Sequence, residues 1–294
     1  MAELVGTYAA SHGPLIIRNW QNLQTDDQRS VAAAFSELGR RIKAARPDVL
    51  IVISPDHWTN FFISNLPSIC IGVGDVNEGP NEPWMKDFPH REIPGHPRFA
   101  QHILDTALEH DFDPSVSHRL ILDHGFCIPL WKAGIDPLPA IVPIILNDIE
   151  PPFPTVKRCY ACGEMLAEAI ASYSEDLRVA VMGTGGLSHS IGEPTMGRIE
   201  EEFDRDCLRL FASGKRRPLV DFLTKRLPTI GNGASEIRNW IAAHGAAGGN
   251  GFELINYKAI PELYVGFGVA AWKLAPPASR RRPAKTSKKA LGRR

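Results

Sequence analysis

The chain has 294 residues, of which 44% are apolar and 22% charged, so it is long enough to bury a sizeable core. No apolar run approaches the ~18 residues that a membrane-spanning helix needs, and the N-terminal residues lack the basic and apolar regions of a signal peptide. The five cysteines are an odd, scattered set, which favours a reducing cytoplasm over a disulfide framework.

The formal net charge of zero hides an uneven distribution. Residues 275–294 hold eight basic residues and no acidic one, which leaves 25 basic against 33 acidic residues in the rest of the chain, a balance of about −8. A body this acidic disfavours general nucleic-acid binding, and the composition of the tail is typical of a solvated, disordered segment. We therefore expect one domain, 1–274, followed by a disordered basic tail, 275–294.

In the first half of the chain, strand-like and helix-like patterns alternate. The predicted elements are a strand at 4–10, a helix at 26–45 with Asp26 as its N-cap, strands at 49–53 and 69–73, a helix at 97–109 and a strand at 119–122. The Pro/Gly-rich segment 74–97 is too long and irregular for an ordinary connection, so we expect it to border a binding pocket.

The second half continues the alternation. The pattern predicts strands at 140–146 and from 177, helices at 156–173, 196–212 and 234–247, and aromatic, glycine-broken segments over 257–272. This alternation predicts an α/β fold, a single layered α/β/α domain with a central mixed sheet.

Four histidines occupy the same kind of position in this pattern. The stretch LRVAVMGTGGLSHS ends a predicted strand in a glycine-rich turn followed by His189, and the other three are His12 in AASHGP, His57 in ISPDHW and His124 in LDHGF. Ligands bind beyond the carboxyl ends of strands in open α/β sheets. One such histidine alone would more often be an ordinary structural residue, but four together predict a shared pocket that holds a metal.

Glu236 lies in the first turn of the helix predicted over 234–247. Two histidines and one carboxylate on one face of an octahedron leave three positions open, the arrangement of non-haem iron(II) oxygenases. A glutamate in a first turn is equally explained as a complement to the helix dipole, and spacing alone favours that interpretation.

Three further patterns are weak. Cys159 and Cys162 form a CxxC with no second cysteine pair nearby, which disfavours a four-cysteine zinc site. The GTGG turn matches neither the GxGxxG nor the phosphate-loop pattern, so a nucleotide site is disfavoured. Ser188 beside His189 lacks the G-x-S-x-G setting of a hydrolase.

The segments SHGP, SPDHW, LDHG, GTGGLSH and ASEIRNW together resemble the class III extradiol ring-cleaving dioxygenases, over residues 11–272. The region 158–204 is more similar to members that cleave protocatechuate, whereas SPDHWTNFF and IPELYVGFG are more similar to members that cleave dihydroxyphenylpropionate. The resemblance implies that His12, His57 and Glu236 bind Fe(2+), and that His124 and His189 are catalytic, with His189 as the base.

The implied function is Fe(II)-dependent extradiol cleavage of a catechol, expected to be a carboxylated one, with both atoms of O2 incorporated. The expected setting is the cytoplasm, in a homo- or hetero-oligomer with no membrane and no specific nucleic acid, and the need for a small α-type subunit is left open. Two alternatives remain on the same fold: a non-catalytic binding protein that has lost iron, and a zinc hydrolase.

Overall fold

The computed structural model of the chain describes residues 1–86, 88 and 90–274; the predicted disordered tail lies outside the described residues. Within them the strands are β1 (Glu3–Ala10), β2 (Val49–Ser54), β3 (Ile69–Gly72), β4 (Val76–Gly79), β5 (Arg91–Pro94), β6 (Ser115–Ser117), β7 (Ala140–Leu146), β8 (Arg178–Thr184), β9 (Phe252–Ile260) and β10 (Val265–Trp272). The α-helices are α1 (Leu15–Arg18), α2 (Thr25–Ala45), α3 (Pro97–Glu109), α4 (His124–Lys132), α5 (Val156–Ser172), α6 (Glu201–Ser213), α7 (Arg216–Arg226) and α8 (Ile237–Ala246).

Eight of these strands form one mixed sheet in the order β6-β3-β7-β2-β8-β1-β10-β9. The central strands β7, β2, β8 and β1 are parallel to one another, whereas β10 and β9 complete one side in antiparallel pairing. Central parallel strands are covered on both faces and are therefore apolar along their whole length. The fully buried β2, VLIVIS, is such a strand, and the mixed sheet confirms the predicted fold class.

Helices cover both faces of the sheet. Val49, Ile51 and Ile53 of β2 belong to a buried cluster that includes residues of α3, α5 and α8, whereas Leu50 and Val52 belong to a second cluster that includes residues of α2 and α4. Successive side chains of a strand point to opposite faces, so β2 contributes to both cores. This layering places the carboxyl ends of the central parallel strands at one edge of the sheet.

Several predicted boundaries were wrong. Helix α2 begins at Thr25 after Gln24, so Asp26 lies inside the first turn and is not the N-cap. The strand expected at 119–122 is absent from the named strands; β6 pairs with β3 four residues earlier. Helix α6 begins at Glu201, five residues later than predicted, because the residues before it form turns and bends.

The sequence patterns also missed some elements. Helix α4 begins at His124, where the Asp123 side chain accepts a hydrogen bond from the Gly125 N–H at 2.8 Å. Helix α7 and the antiparallel pair β4–β5, inside the segment 74–97, were not predicted. Among the described residues, none of the helices combines the length and apolarity needed to cross a bilayer.

Candidate metal centre

The parallel strands deliver the predicted histidines to one edge of the sheet. His12 follows β1, His57 follows β2 and His189 follows β8, while Asp148 follows β7. A cavity of about 390 Å³ opens at this edge. All five residues predicted from the sequence line it: His12, His57, His124, His189 and Glu236.

Glu236 lies at the centre of this group. It ends a 3-10 turn, Asn232–Glu236, that leads directly into α8. Its Oε1 lies 3.4 Å from Nε2 of His12, 3.6 Å from Nε2 of His57 and 3.7 Å from Nε2 of His189. Three imidazole nitrogens therefore converge on one carboxylate oxygen.

The other oxygen of Glu236 is held by the glycine-rich turn after β8. The Gly186 N–H donates to Oε2 at 2.7 Å. Gly185 has φ +108°, and a Cβ there would lie 2.6 Å from Oε2. Only glycine adopts this backbone without strain or displacement of the carboxylate. The GTGG turn thus cradles a protein carboxylate rather than a phosphate.

His12 and His57 are both oriented through their Nδ1 atoms. Nδ1 of His12 lies 3.1 Å from the Thr184 hydroxyl. Nδ1 of His57 lies 3.1 Å from Oδ2 of Asp123, which also accepts the His57 backbone N–H at 2.7 Å. Hydrogen bonds of this kind fix the ring orientation of metal-binding histidines. In both residues Nε2 is the atom that remains directed at Glu236.

The donor set fits a metal ion. Nε2 of His12 is buried and has no hydrogen-bond partner among the described residues, and one nitrogen each of His12, His57 and His124 lie within 4.8 Å of one another. Burial lowers the pKa of His12, so its imidazole is neutral and can bind a cation. Burial alone would raise the pKa of Glu236, but its interactions with the His12 and His189 imidazoles outweigh burial and hold that pKa well below its usual value.

His124 is held by a residue that the sequence analysis missed. Oε1 of Glu82 accepts both the His124 backbone N–H, at 2.8 Å, and a hydrogen bond from Nδ1, at 2.7 Å. Glu82 belongs to the segment 74–97, and Trp84 of the same segment lies beside the His124 ring at 5.5 Å. Among the described residues of this segment, none lines the cavity, so the segment contacts His124 through Glu82 and Trp84 and does not border the pocket as predicted.

His189 is held by its own backbone neighbourhood. Its Nδ1 lies 3.0 Å from the carbonyl oxygen of Leu187. The preceding Ser188 donates through its N–H and hydroxyl to the two oxygens of Asp204, both at 2.8 Å. Asp204 is fully buried on α6 and was also missed, because no local pattern connects it with the turn after β8.

The cysteine pair takes no part in the centre. Cys159 and Cys162 are buried on α5 as free thiols. Burial raises the pKa of Cys162 to about 12, so the thiol is neutral. The predicted packing role is confirmed for this pair.

Comparisons with known proteins agree on one family. A family model described as the catalytic LigB subunit of aromatic ring-opening dioxygenase matches residues 6–268. The chain is similar to the 2,3-dihydroxyphenylpropionate/2,3-dihydroxicinnamic acid 1,2-dioxygenases of Burkholderia vietnamiensis, at 30% identity over 283 residues, and of Paraburkholderia phymatum, at 28% over 284 residues. Each match covers 78% of this chain and 85% of the relative.

A solved structure of an uncharacterized Escherichia coli K12 protein is similar in fold, with a TM-score of 0.58 and 15% sequence identity. The match covers 81% of this chain and 91% of that chain. At this identity the likeness concerns the fold alone.

Proposed function

Because the chain belongs to the family of the catalytic LigB subunit of aromatic ring-opening dioxygenases, we propose that it performs Fe(II)-dependent extradiol cleavage of a catechol. The observation that carries the proposal is the convergence of Nε2 of His12, His57 and His189 on Oε1 of Glu236 at the end of the cavity. Two imidazoles and one carboxylate form the ligand set of non-haem iron(II) oxygenases.

We assign His12, His57 and Glu236 as the residues that hold the iron. When bound there, ferrous iron would supply the positions at which a catechol and dioxygen are brought together and charge passes between them. Thr184 and Asp123 orient the two histidines, and the Gly186 N–H holds the carboxylate. These contacts keep the ligand atoms in place before any substrate binds.

His189 and His124 are assigned to proton transfer. A base that titrates near neutrality is needed to remove a proton from the catechol, and histidine supplies it. His189 hydrogen-bonds a backbone carbonyl through Nδ1, which leaves Nε2 as the proton acceptor at the cavity. His124 pairs with the Glu82 carboxylate through Nδ1, which orients its ring at the cavity, and we assign it the role of the acid.

The wider setting rests on the relatives and the composition. The printed names of the two relatives specify dihydroxyphenylpropionate and dihydroxycinnamic acid, which supports a catechol ring as the substrate and agrees with the carboxylated catechol expected from the sequence. The five buried free thiols support the proposed cytoplasmic location. Oligomer formation and a small α-type subunit stay predictions.

The test loads the full chain with ferrous iron without air and measures bound iron, oxygen uptake with catechol and the yellow absorbance of a ring-opened product. Glu236→Gln keeps the side-chain shape but removes the charge, so bound iron should fall by at least ~10-fold. Glu109→Gln, an exposed change at the end of α3, is the matched control and should change nothing.

His124→Ala tests whether His124 or Glu236 completes the ligand set with His12 and His57. It should retain iron while turnover falls by ~10²–10⁴-fold. Full iron occupancy in Glu236→Gln, or loss of iron in His124→Ala, would contradict the ligand assignment. Zinc in place of iron, with no oxygen uptake, would favour the hydrolase alternative, and no bound metal would favour the binding protein.

A further inference from the structure

The cavity wall has an unusual charge distribution for an enzyme expected to bind an acid. Apart from the histidines and Glu236, its ionisable side chains are Asp148 and Glu150. Within the described part of the chain, the wall contains no lysine or arginine. A substrate carboxylate would therefore meet carboxyl groups and no fixed positive charge.

Asp148 is the buried member of this pair and has an unused oxygen. Its Oδ2 accepts from Nδ2 of Asn239 at 2.8 Å, whereas its Oδ1 is buried with no hydrogen-bond partner among the described residues. The side chain lies directly after β7 and lines the cavity. A neutral hydroxyl or amide group can both donate and accept a hydrogen bond and would therefore satisfy Oδ1, whereas an ionised carboxylate can only accept one.

Arg238, the basic residue that acts electrostatically on Asp148, is already engaged elsewhere. Arg238 donates through Nε to the Pro154 carbonyl at 3.0 Å and through a terminal nitrogen to the Ser235 carbonyl at 3.1 Å. Burial and the charge of Glu236 raise the pKa of Asp148 well above its usual value. This part of the cavity therefore already disfavours a negative charge.

The other described residues of the cavity wall do not provide a partner for a substrate carboxylate. The amide of Asn232 donates to the Ile191 carbonyl at 2.9 Å, and its oxygen accepts from the Ile191 and Gly233 N–H groups. The remainder of the wall is largely apolar: Pro14, Leu15, Trp58, Ile149, Ile191, Leu263 and Val265. Burying a charge without a partner is strongly unfavourable.

We infer that the substrate is a catechol whose ring substituent carries no carboxylate, and that a neutral or hydrogen-bond-donating substituent lies against Asp148 and Glu150. This inference rests on the proposed ring cleavage and departs from the carboxylated catechol that the sequence predicts.

The experiment compares matched pairs that differ only in the substituent. 3,4-Dihydroxybenzyl alcohol is measured against 3,4-dihydroxybenzoate, and the 2,3-dihydroxy isomers against each other, with the iron-loaded full chain. Both kcat/KM and the Kd from anaerobic titration are determined. The better alcohol should have a kcat/KM at least ~10-fold higher and a Kd at least ~10-fold lower than its acid, and each difference corresponds to ~1.4 kcal/mol. A preference for the acid in Kd would overturn the inference.

A charge reversal at Glu150, which lines the cavity, tests the inference about the substituent directly. Glu150 is exposed, so Glu150→Lys is expected to fold. It should strengthen binding of the acid and so lower the ratio of the acid's Kd to the alcohol's Kd at least ~10-fold. Glu109→Lys, the same reversal at an exposed site on α3, is the control for overall charge. An unchanged ratio in Glu150→Lys would also overturn the inference.

The two proposals fail in different ways. If no catechol is opened, the unsubstituted one included, ring cleavage is refuted, and the anaerobic Kd values still decide which substituent the cavity accepts. If the acids are opened and bound best, ring cleavage stands and the inference about the substituent is wrong.

Discussion

Glu82 is the residue whose role could least be foreseen from its position in the chain. It lies 42 residues before His124, yet its Oε1 binds both the backbone N–H and Nδ1 of that histidine. Its side chain is only 15% exposed, so the charge is poorly screened. We infer that Glu82 positions the His124 ring with Nε2 towards the cavity.

Glu82→Gln should keep the size of the side chain and remove the charge from the group that orients His124. Turnover should fall by ~10–100-fold, the range typical of orienting carboxylates, while bound iron and KM stay unchanged. Glu92→Gln in β5 is the control, because Glu92 is exposed on the same segment. Steady-state kinetics and metal analysis decide: iron lost in step with turnover would show that Glu82 acts on the metal centre as a whole.

At the scale of single residues, the sequence predicted which side chains come together in the site but not which other side chains orient them. The four histidines line one cavity, as the strand–turn positions indicated, and Glu236 lines it as the family resemblance implied. Glu82, which binds His124, lies in the connection between β4 and β5, and Asp204, which binds Ser188 beside His189, lies on α6. Such contacts depend on tertiary packing, which leaves no local periodicity to detect.

At the scale of elements, Asp204 connects three parts of the fold. It lies on α6, accepts both hydrogen bonds from Ser188 in the turn after β8, and accepts a third from the Tyr257 hydroxyl of β9 at 2.9 Å. Burial raises the pKa of Asp204 to about 6, although these hydrogen bonds oppose the shift. Asp204 therefore binds its proton more tightly in the folded state than in the unfolded one.

This shift has a direction that can be measured. The contribution of Asp204 to the free energy of unfolding is fully present below its unfolded pKa and is lost as the pH rises through about 6. A shift of this size corresponds to about 2–3 kcal/mol. Urea unfolding of the wild type and Asp204→Asn from pH 4.5 to 7 should show the wild type losing about that much relative to the variant. Parallel curves for the two proteins would contradict the assignment.

Elements were predictable where burial imposed a simple pattern. The strand at 140–146 and the helix at 97–109 agree with β7 and α3 to the residue. Helix α4 was missed because its sequence, HGFCIPLWK, contains Pro129 and is buried along most of its length, so it shows no amphipathic period. Its start depends on the Asp123 cap, which looks like an ordinary turn residue in the sequence.

At the scale of the whole molecule, the site depends on how distant strands pair. Strands β2, β8 and β1 are neighbours in the sheet although more than a hundred residues separate β2 from β8. The parallel order places His12, His57 and His189 at one edge, and β10 supports it because the Gly268 N–H donates to the Ser11 hydroxyl at 2.9 Å. The sequence predicted the shared edge from strand ends, but the strand order has no local signal.

The basic tail, residues 275–294, can be removed to test whether it contributes to folding or to activity. Both apolar clusters and all five assigned site residues lie before residue 275, and β10 ends at Trp272. A chain that ends at Leu274 should therefore fold and retain kcat/KM within about threefold of the full chain, because a segment with eight like charges and few apolar groups adds little to a core. Thermal unfolding and turnover are measured for both chains. The full chain is also assayed at low and at high salt, because high salt would weaken any contact made by the tail charges.

The shortened chain should also keep its preference for alcohols over acids, since the described cavity wall sets that preference. A loss of turnover at unchanged Tm would show instead that the tail contributes to the site.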